Sequence, residues 1–255
     1  MVIIEKIGDI PKWDKYEPDI QHYNAYPTNV TASAAKITDV HRTFCTGRAS
    51  FIYCDCEEFG QLVPREDELS KLYFRSILMY NALSSYNICI DLSWQVVWLY
   101  LSDYGLDLIY DKKQYERYIN ECNFVTLNYQ LVLAKEHKIR DFVNAMFNDS
   151  LTQQVRKKYN YYKHKGSLYV PGLGINYSNL PFGFNNVDLK QFTREEFDLT
   201  EWTELLIKFH WFFKDYFEEI IRFVIPRDYL GLKMDFLSDT LNYGIKVEEY
   251  LKSKS

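Results

Sequence analysis

From residue 65 to about residue 103, apolar and aromatic side chains recur at Leu69, Leu72, Tyr73, Tyr80, Leu83, Ile90, Trp94, Val97 and Leu101, at separations of three, four and seven. That period keeps them on one side of a helix, and at 1.5 Å per residue the segment predicts a rod about 55 Å long. Pro64 and the acids behind it, Glu66, Asp67 and Glu68, suit a helix start, where a missing amide costs nothing and negative charge meets the positive end of the dipole. Gly105 ends this helix, and a shorter one is expected over about 111–122. A third apolar series, Ile139, Phe142, Val143, Met146, Leu151 and Val155, predicts helix over 135–163 with a break near 148–150. Two more are expected over about 200–224 and 227–251, parted by Pro226. Thr200 with Thr203 and Glu204 offers a start signal, the acid one place beyond capping-box spacing.

Residues 1–64 pattern differently. They show no sustained helical period, carry Pro11, Pro18, Pro27 and Pro64, and include a strand-like run at 51–54, so they read as an irregular N-terminal arm or small subdomain. Residues 166–192, rich in glycine and carrying Pro171 and Pro181, read as the principal loop. The expected fold is all-α, an up-and-down bundle of four or five long helices over 65–255 behind that arm. Trp94, Trp98, Trp202, Trp211, Phe212 and Phe213 recur at helical spacing and are expected in its core.

Composition narrows the function classes. The chain is 47% hydrophobic and 17% aromatic over 255 residues, enough to bury a substantial core. Ten glycines and seven prolines are few for an architecture of many short strands. A net charge of −5 supplies no global attraction to nucleic acid or to an anionic membrane, so a polyanion contact requires a local basic patch. The first apolar run is short with acids immediately behind it, unlike a signal peptide. The longest apolar tract, near 88–101, is interrupted by Asp91, Ser93 and Gln95 and falls short of the roughly 20 residues a bilayer requires. A cytoplasmic chain without membrane contact is expected, its five cysteines reduced.

One stretch departs from the acidic background. Residues 156–166, RKKYNYYKHKG, hold five basic side chains, a histidine and three tyrosines before a glycine. On a helix, Arg156, Asn160 and His164 drift only about 40° per step and share a face. A neutral imidazole can take the proton of a ribose 2′-hydroxyl while a cation neutralises charge on the phosphate, a metal-free route to RNA cleavage. Tyrosines can stack on unpaired bases. Three readings fit: a ribonuclease site, nucleic-acid or nucleotide contact without catalysis, and a plain helix end. In the last, Lys and His stabilise the macrodipole by about 0.3–1 kcal/mol each and Gly166 caps.

The run Tyr159-Asn160-Tyr161-Tyr162-Lys163-His164 resembles the arginine–asparagine-x-x-lysine–histidine motif of the HEPN (higher eukaryotes and prokaryotes nucleotide-binding) superfamily. His164, Lys163 and Asn160 match, and Tyr159 stands where that family has arginine; Lys158 precedes His164 by five intervening residues and Arg156 by seven. The resemblance implies a helical bundle, usually dimeric, and for many members a metal-independent ribonuclease of defence, toxin–antitoxin or RNA-processing systems. On that reading His164 is the general base, with Lys158 and Asn160 beside it. Arg156, Lys157, Lys163, Lys165, Tyr159, Tyr161 and Tyr162 would contact RNA or a nucleotide, in a homodimer, with an antitoxin or other protein as a further partner. The rival is a non-catalytic structural or protein-interaction module in which the same residues cap a helix.

Other constellations are weaker. His41, Cys45, Cys54 and Cys56 lack the paired C-x2-C spacing of familiar zinc sites and read as scattered thiols, so no metal or cofactor is expected. PGLG at 171–174 lacks the lysine and serine of a phosphate loop and reads as a turn. Glu195 with Glu196, and Glu218 with Glu219, read as solvated acids on helices.

Overall fold

A computed structural model describes residues 2–60, 67–174, 183–184, 187–188, 194–233 and 235–254. The fold is all-α. The helices are α1 (Ile3–Ile7), α2 (Ile20–Ala25), α3 (Thr28–Tyr53), α4 (Glu68–Tyr100), α5 (Asp107–Tyr110), α6 (Lys112–Asn120), α7 (Phe124–Leu133), α8 (His137–Asn148), α9 (Ser150–Lys165), α10 (Leu199–Val224) and α11 (Phe236–Lys254). Single 3-10 turns occupy Trp13–Tyr16 and Tyr229–Gly231. A two-residue antiparallel ribbon pairs β1 (Gly183–Phe184) with β2 (Val187–Asp188).

The chain divides into two compact units. Unit 1 comprises Met1–Asp9, Phe44–Asn87 and Asp149–Phe212; unit 2 comprises Ile10–Thr43, Ile88–Asn148 and Phe213–Ser255. Helices α3, α4 and α10 supply residues to both. In unit 1, Phe44 and Phe51 of α3 meet Tyr86 of α4, and Tyr86 meets Phe209 and His210 of α10. In unit 2, Ser33 of α3 donates to the Val96 carbonyl of α4 at 3.0 Å, and Tyr216 of α10 stacks on Phe142 of α8.

The expected irregular arm is corrected over residues 28–53, which form the 26-residue helix α3. Pro27 lies outside the helix and its carbonyl accepts the first amides, from Val30 and Thr31, so the proline starts the helix. The buried face runs through Val30, Ala34, Ile37, Val40, Phe44 and Phe51, at helical spacing, but Thr31, Ser33 and Gly47 are interleaved with it. These small residues blur the hydrophobic period while allowing a close approach of helices. A Cβ on Gly47 would lie 2.9 Å from Ser85 Cβ on α4. The strand-like run at 51–54 is the last turn of α3 and its exit.

Helix α4 is buried on several sides, at Leu83, Tyr86, Cys89, Ile90, Val96, Val97 and Leu99, as befits a helix at the centre of others. Its start is capped by Asp67, which accepts the Ser70 amide at 2.8 Å; Pro64, Arg65 and Glu66 lie outside the described residues. The break expected near 148–150 is Asp149, whose carboxylate accepts the Leu151 amide and starts α9. The start of α10 is capped by Asp198, which accepts the Glu201 amide at 2.8 Å, in place of the Thr200 signal. Pro226 is followed by a 3-10 turn, so α11 begins at Phe236 and not near 227. Trp94, Trp98, Trp202 and Phe213 are buried as expected, whereas Trp211 is 37% exposed and donates its indole N–H to the Lys6 carbonyl at 2.9 Å. No helix among the described residues is long and apolar enough to cross a membrane.

Candidate nucleic-acid interface

Helix α9 carries the basic stretch and belongs to unit 1. Thr152 and Val155 bury its inner face. Its last turn holds Lys163, His164 and Lys165, and Gly166 follows at φ 106°, in the left-handed region that glycine enters without strain. Cations here meet the negative end of the helix dipole.

The ten side chains divide into two groups. Lys157, Asn160, Lys163, His164 and Lys165 are exposed. At 100° per residue, Lys157 and Asn160 fall within about 40° of His164 around the helix axis, so an ammonium, an amide and an imidazole share one solvent face. Lys165 sits 5.5 Å from the centroid of the Tyr161 ring.

The second group builds the fold. Lys158 is 15% exposed and its ammonium lies 3.0 Å from Glu195 Oε2. It also donates to the Glu196 carbonyl at 3.0 Å and sits 5.6 Å from the Trp202 ring centroid. Expected beside His164 as a catalytic cation, Lys158 is directed about 120° around the axis from it. The Tyr161 hydroxyl accepts the Glu195 amide at 3.2 Å. Tyr162, 37% exposed, stacks on Tyr80 of α4 with centroids 4.9 Å apart, and burial pushes the Tyr80 phenol up to about 12, with Tyr162 adding to the shift. Arg156 and Tyr159 are half-buried.

The chain after α9 explains why Lys158 and Tyr161 turn inward. The Tyr169 amide donates to the Glu195 carbonyl at 2.9 Å, and the Phe197 amide donates to the Tyr169 carbonyl at 2.7 Å. Leu168, Val170 and Phe197 are buried beneath this pairing. Glu195 and Glu196 therefore lie on an extended segment, not on the expected helix, and Glu195 is an ion-pair partner. Glu218 and Glu219 are on α10 and pair with Lys214 and Arg222 respectively. Sequence reasoning missed Glu195, Trp202 and Tyr80 as neighbours of α9, because no local spacing connects them to it.

The remaining candidates have structural settings. Among the described residues no group of three or more His, Cys, Asp or Glu side chains could hold a metal ion. His41 packs edge-on against Trp13, while Cys54 donates to the Phe51 carbonyl and burial pushes its thiol up to about 12. His22 accepts the Asp19 amide at Nδ1 and meets the Tyr229 carbonyl at Nε2. Both bonds require the neutral tautomer protonated at Nε2. His210 Nδ1 lies 2.8 Å from the Tyr86 hydroxyl in the core of unit 1. PGLG is a turn, closed by the Leu173 amide on the Val170 carbonyl. No protein-family model, no curated protein and no solved structure matches this chain.

Proposed function

We propose that the protein contacts single-stranded RNA or a nucleotide through the solvent face at the C-terminal end of α9, as a HEPN-like helical protein of defence or stress type. The observation that carries this reading is the common exposure of Lys157, Asn160, Lys163, His164 and Lys165 on a chain whose net charge is −5 with these lysines included. A local cluster of cations gives phosphate attraction that the rest of the surface opposes. Lys158 is committed to Glu195, so Lys157 is the ammonium best placed to neutralise a phosphate beside His164. Cleavage on this reading would use His164 as general base, with Lys157 and Lys163 in place of the family arginine and no metal in the step.

Binding of a labelled single-stranded RNA measured against salt tests the contact. Neutralising about three phosphates gives a log–log slope near −2.1, whereas a flat curve removes the RNA reading. Incubation of the same RNA in chelator, beside a His164→Ala variant, tests cleavage. Background degradation that is identical in both proteins leaves binding alone.

A second reading, a protein-interaction module, is favoured by α7. Val125, Tyr129, Val132 and Leu133 are all exposed there, and the helix FVTLNYQLVL contains no charged residue. A homodimer or another protein partner covering that face would appear as a concentration-dependent mass in sedimentation. Val125→Lys with Val132→Lys would abolish it.

A further inference from the structure

Helix α11 meets the rest of unit 2 with its polar side. Lys246 donates to the Tyr23 carbonyl at 2.7 Å, the Asn24 side-chain amide donates to the Asp239 carbonyl at 2.8 Å, and Lys254 lies 2.8 Å from Asp107. Tyr243 packs on Tyr23 and Tyr110, and Tyr250 packs on Tyr110. No residue of α11 is buried by these contacts.

The aliphatic residues are on the other side. Leu237, Leu241, Ile245 and Leu251 are 71%, 59%, 55% and 60% exposed, and at 100° per residue they fall within an arc of about 120°. Phe236 adds an exposed ring at the helix start. A helix that serves only its own chain turns such a row inward. Here tyrosine and lysine hold the inward place, and the row is left for another surface.

The spacing of the row shows what that surface is. Leu237 and Ile245 each stand four residues from Leu241. A two-fold axis at Leu241 lays an antiparallel second copy with its Ile245 on Leu237 and its Leu241 on Leu241, a self-complementary contact of the kind that symmetric dimers use. The same axis relates Lys233, just ahead of the helix, to Glu249, near its end. Both are exposed, and neither has an ion-pair partner among the described residues. In the pair each Lys233 would meet Glu249 of the second copy. Ser238 and Gly244 are related in the same way, and a Cβ added at Gly244 would meet nothing within its own chain, so two small residues let the helices come into contact. Covering the five apolar side chains removes about 500 Å² on each copy and about 1,000 Å² in the pair, where specific interfaces begin.

We propose that α11 is the interface of a homodimer in which the second copy packs antiparallel about Leu241. None of these residues belongs to α9 or α7, so the proposal stands apart from the RNA reading and from the α7 face.

Sedimentation velocity of the full chain from about 1 to 200 µM tests this. The 30.5 kDa chain is expected to give way to twice that mass, with a Kd of about 10 µM for an interface of this size. Leu241→Glu sets two carboxylates face to face on the axis and should weaken the pair about a hundredfold or more. It should leave the urea midpoint of the dilute protein unchanged, because this side chain is already exposed. Lys233→Glu or Glu249→Lys alone should weaken the pair by about tenfold, and the two together should recover most of that loss. Val125→Lys with Val132→Lys should leave it intact. A monomer up to about 200 µM, a dimer indifferent to Leu241→Glu, a dimer lost in the α7 variant, or a double charge reversal no better than the single ones would each overturn the proposal.

Discussion

The Lys158 ammonium and the Glu195 carboxylate are 3.0 Å apart, joining α9 to the extended segment ahead of α10. The Lys158 side chain is 15% exposed and that of Glu195 34%, so the pair is partly screened. Lys158→Ala should then cost about 1 kcal/mol, read as a shift in the urea midpoint. It should leave the salt dependence of RNA binding unchanged, since this ammonium does not face solvent. Lys157→Ala should do the converse: stability within about 0.5 kcal/mol, and a salt slope shallower by about 0.7. Equal loss of slope in both variants would mean that Lys158 leaves Glu195 when RNA binds.

Gly47 supplies a second test. Alanine at an exposed helix position normally gains about 1 kcal/mol over glycine, yet here the added Cβ would stand 2.9 Å from Ser85 Cβ. Overpacking of this kind costs about 1–3 kcal/mol. Gly47→Ala should therefore lower stability in chemical denaturation, and Ser85→Gly in the same chain should recover part of the loss by removing the opposing atom. A stabilised Gly47→Ala protein would show that α3 and α4 can part at little cost.

Legibility in the sequence tracks the chemistry of the buried faces. Helices α4, α8 and α10 bury large side chains at intervals of three and four, and all of them can be read from that period. Helix α3 cannot, since Thr31, Ser33 and Gly47 are buried and their burial depends on the surface of α4, which no local window contains. Helix α7 escapes for another reason. Its apolar residues occur all round the axis, with Leu127 and Leu131 inward and Val125, Tyr129, Val132 and Leu133 outward, so no amphipathic stripe stands out. At α9 the cluster itself is legible, but not which lysine faces solvent: the bond of Lys158 to Glu195 spans 37 residues.

The two alternatives for the start of α10 predict different mutants. The Asp198 carboxylate accepts the Glu201 amide at 2.8 Å, satisfying a donor that the helix cannot satisfy internally. Asp198→Ala should cost about 1 kcal/mol. Thr200→Ala, at an exposed position inside the helix, should stay within about 0.5 kcal/mol. Urea denaturation of the two proteins decides the matter, and a larger loss at Thr200 would return the cap to the position that the sequence pattern favours.

Alkali should unfold this protein sooner than the ordinary ionisation of thiols and phenols would suggest. Burial pushes the Cys54 and Cys122 thiols from 9.0 up to about 12 and the Tyr80 phenol from 10.0 up to about 12. The unfolded chain gives up these protons first, so above pH 9 the folded state binds more protons than the unfolded state does. Stability therefore falls with rising pH through that window and is fully present below it. Urea midpoints should be level between about pH 7 and pH 8.5 and decline steadily toward about pH 11. Cys54→Ala, whatever it costs at neutral pH, should make that decline shallower, because one group that withholds its proton is gone. An unchanged slope in this variant would mean that the Cys54 thiol ionises in the folded protein as readily as in the unfolded chain.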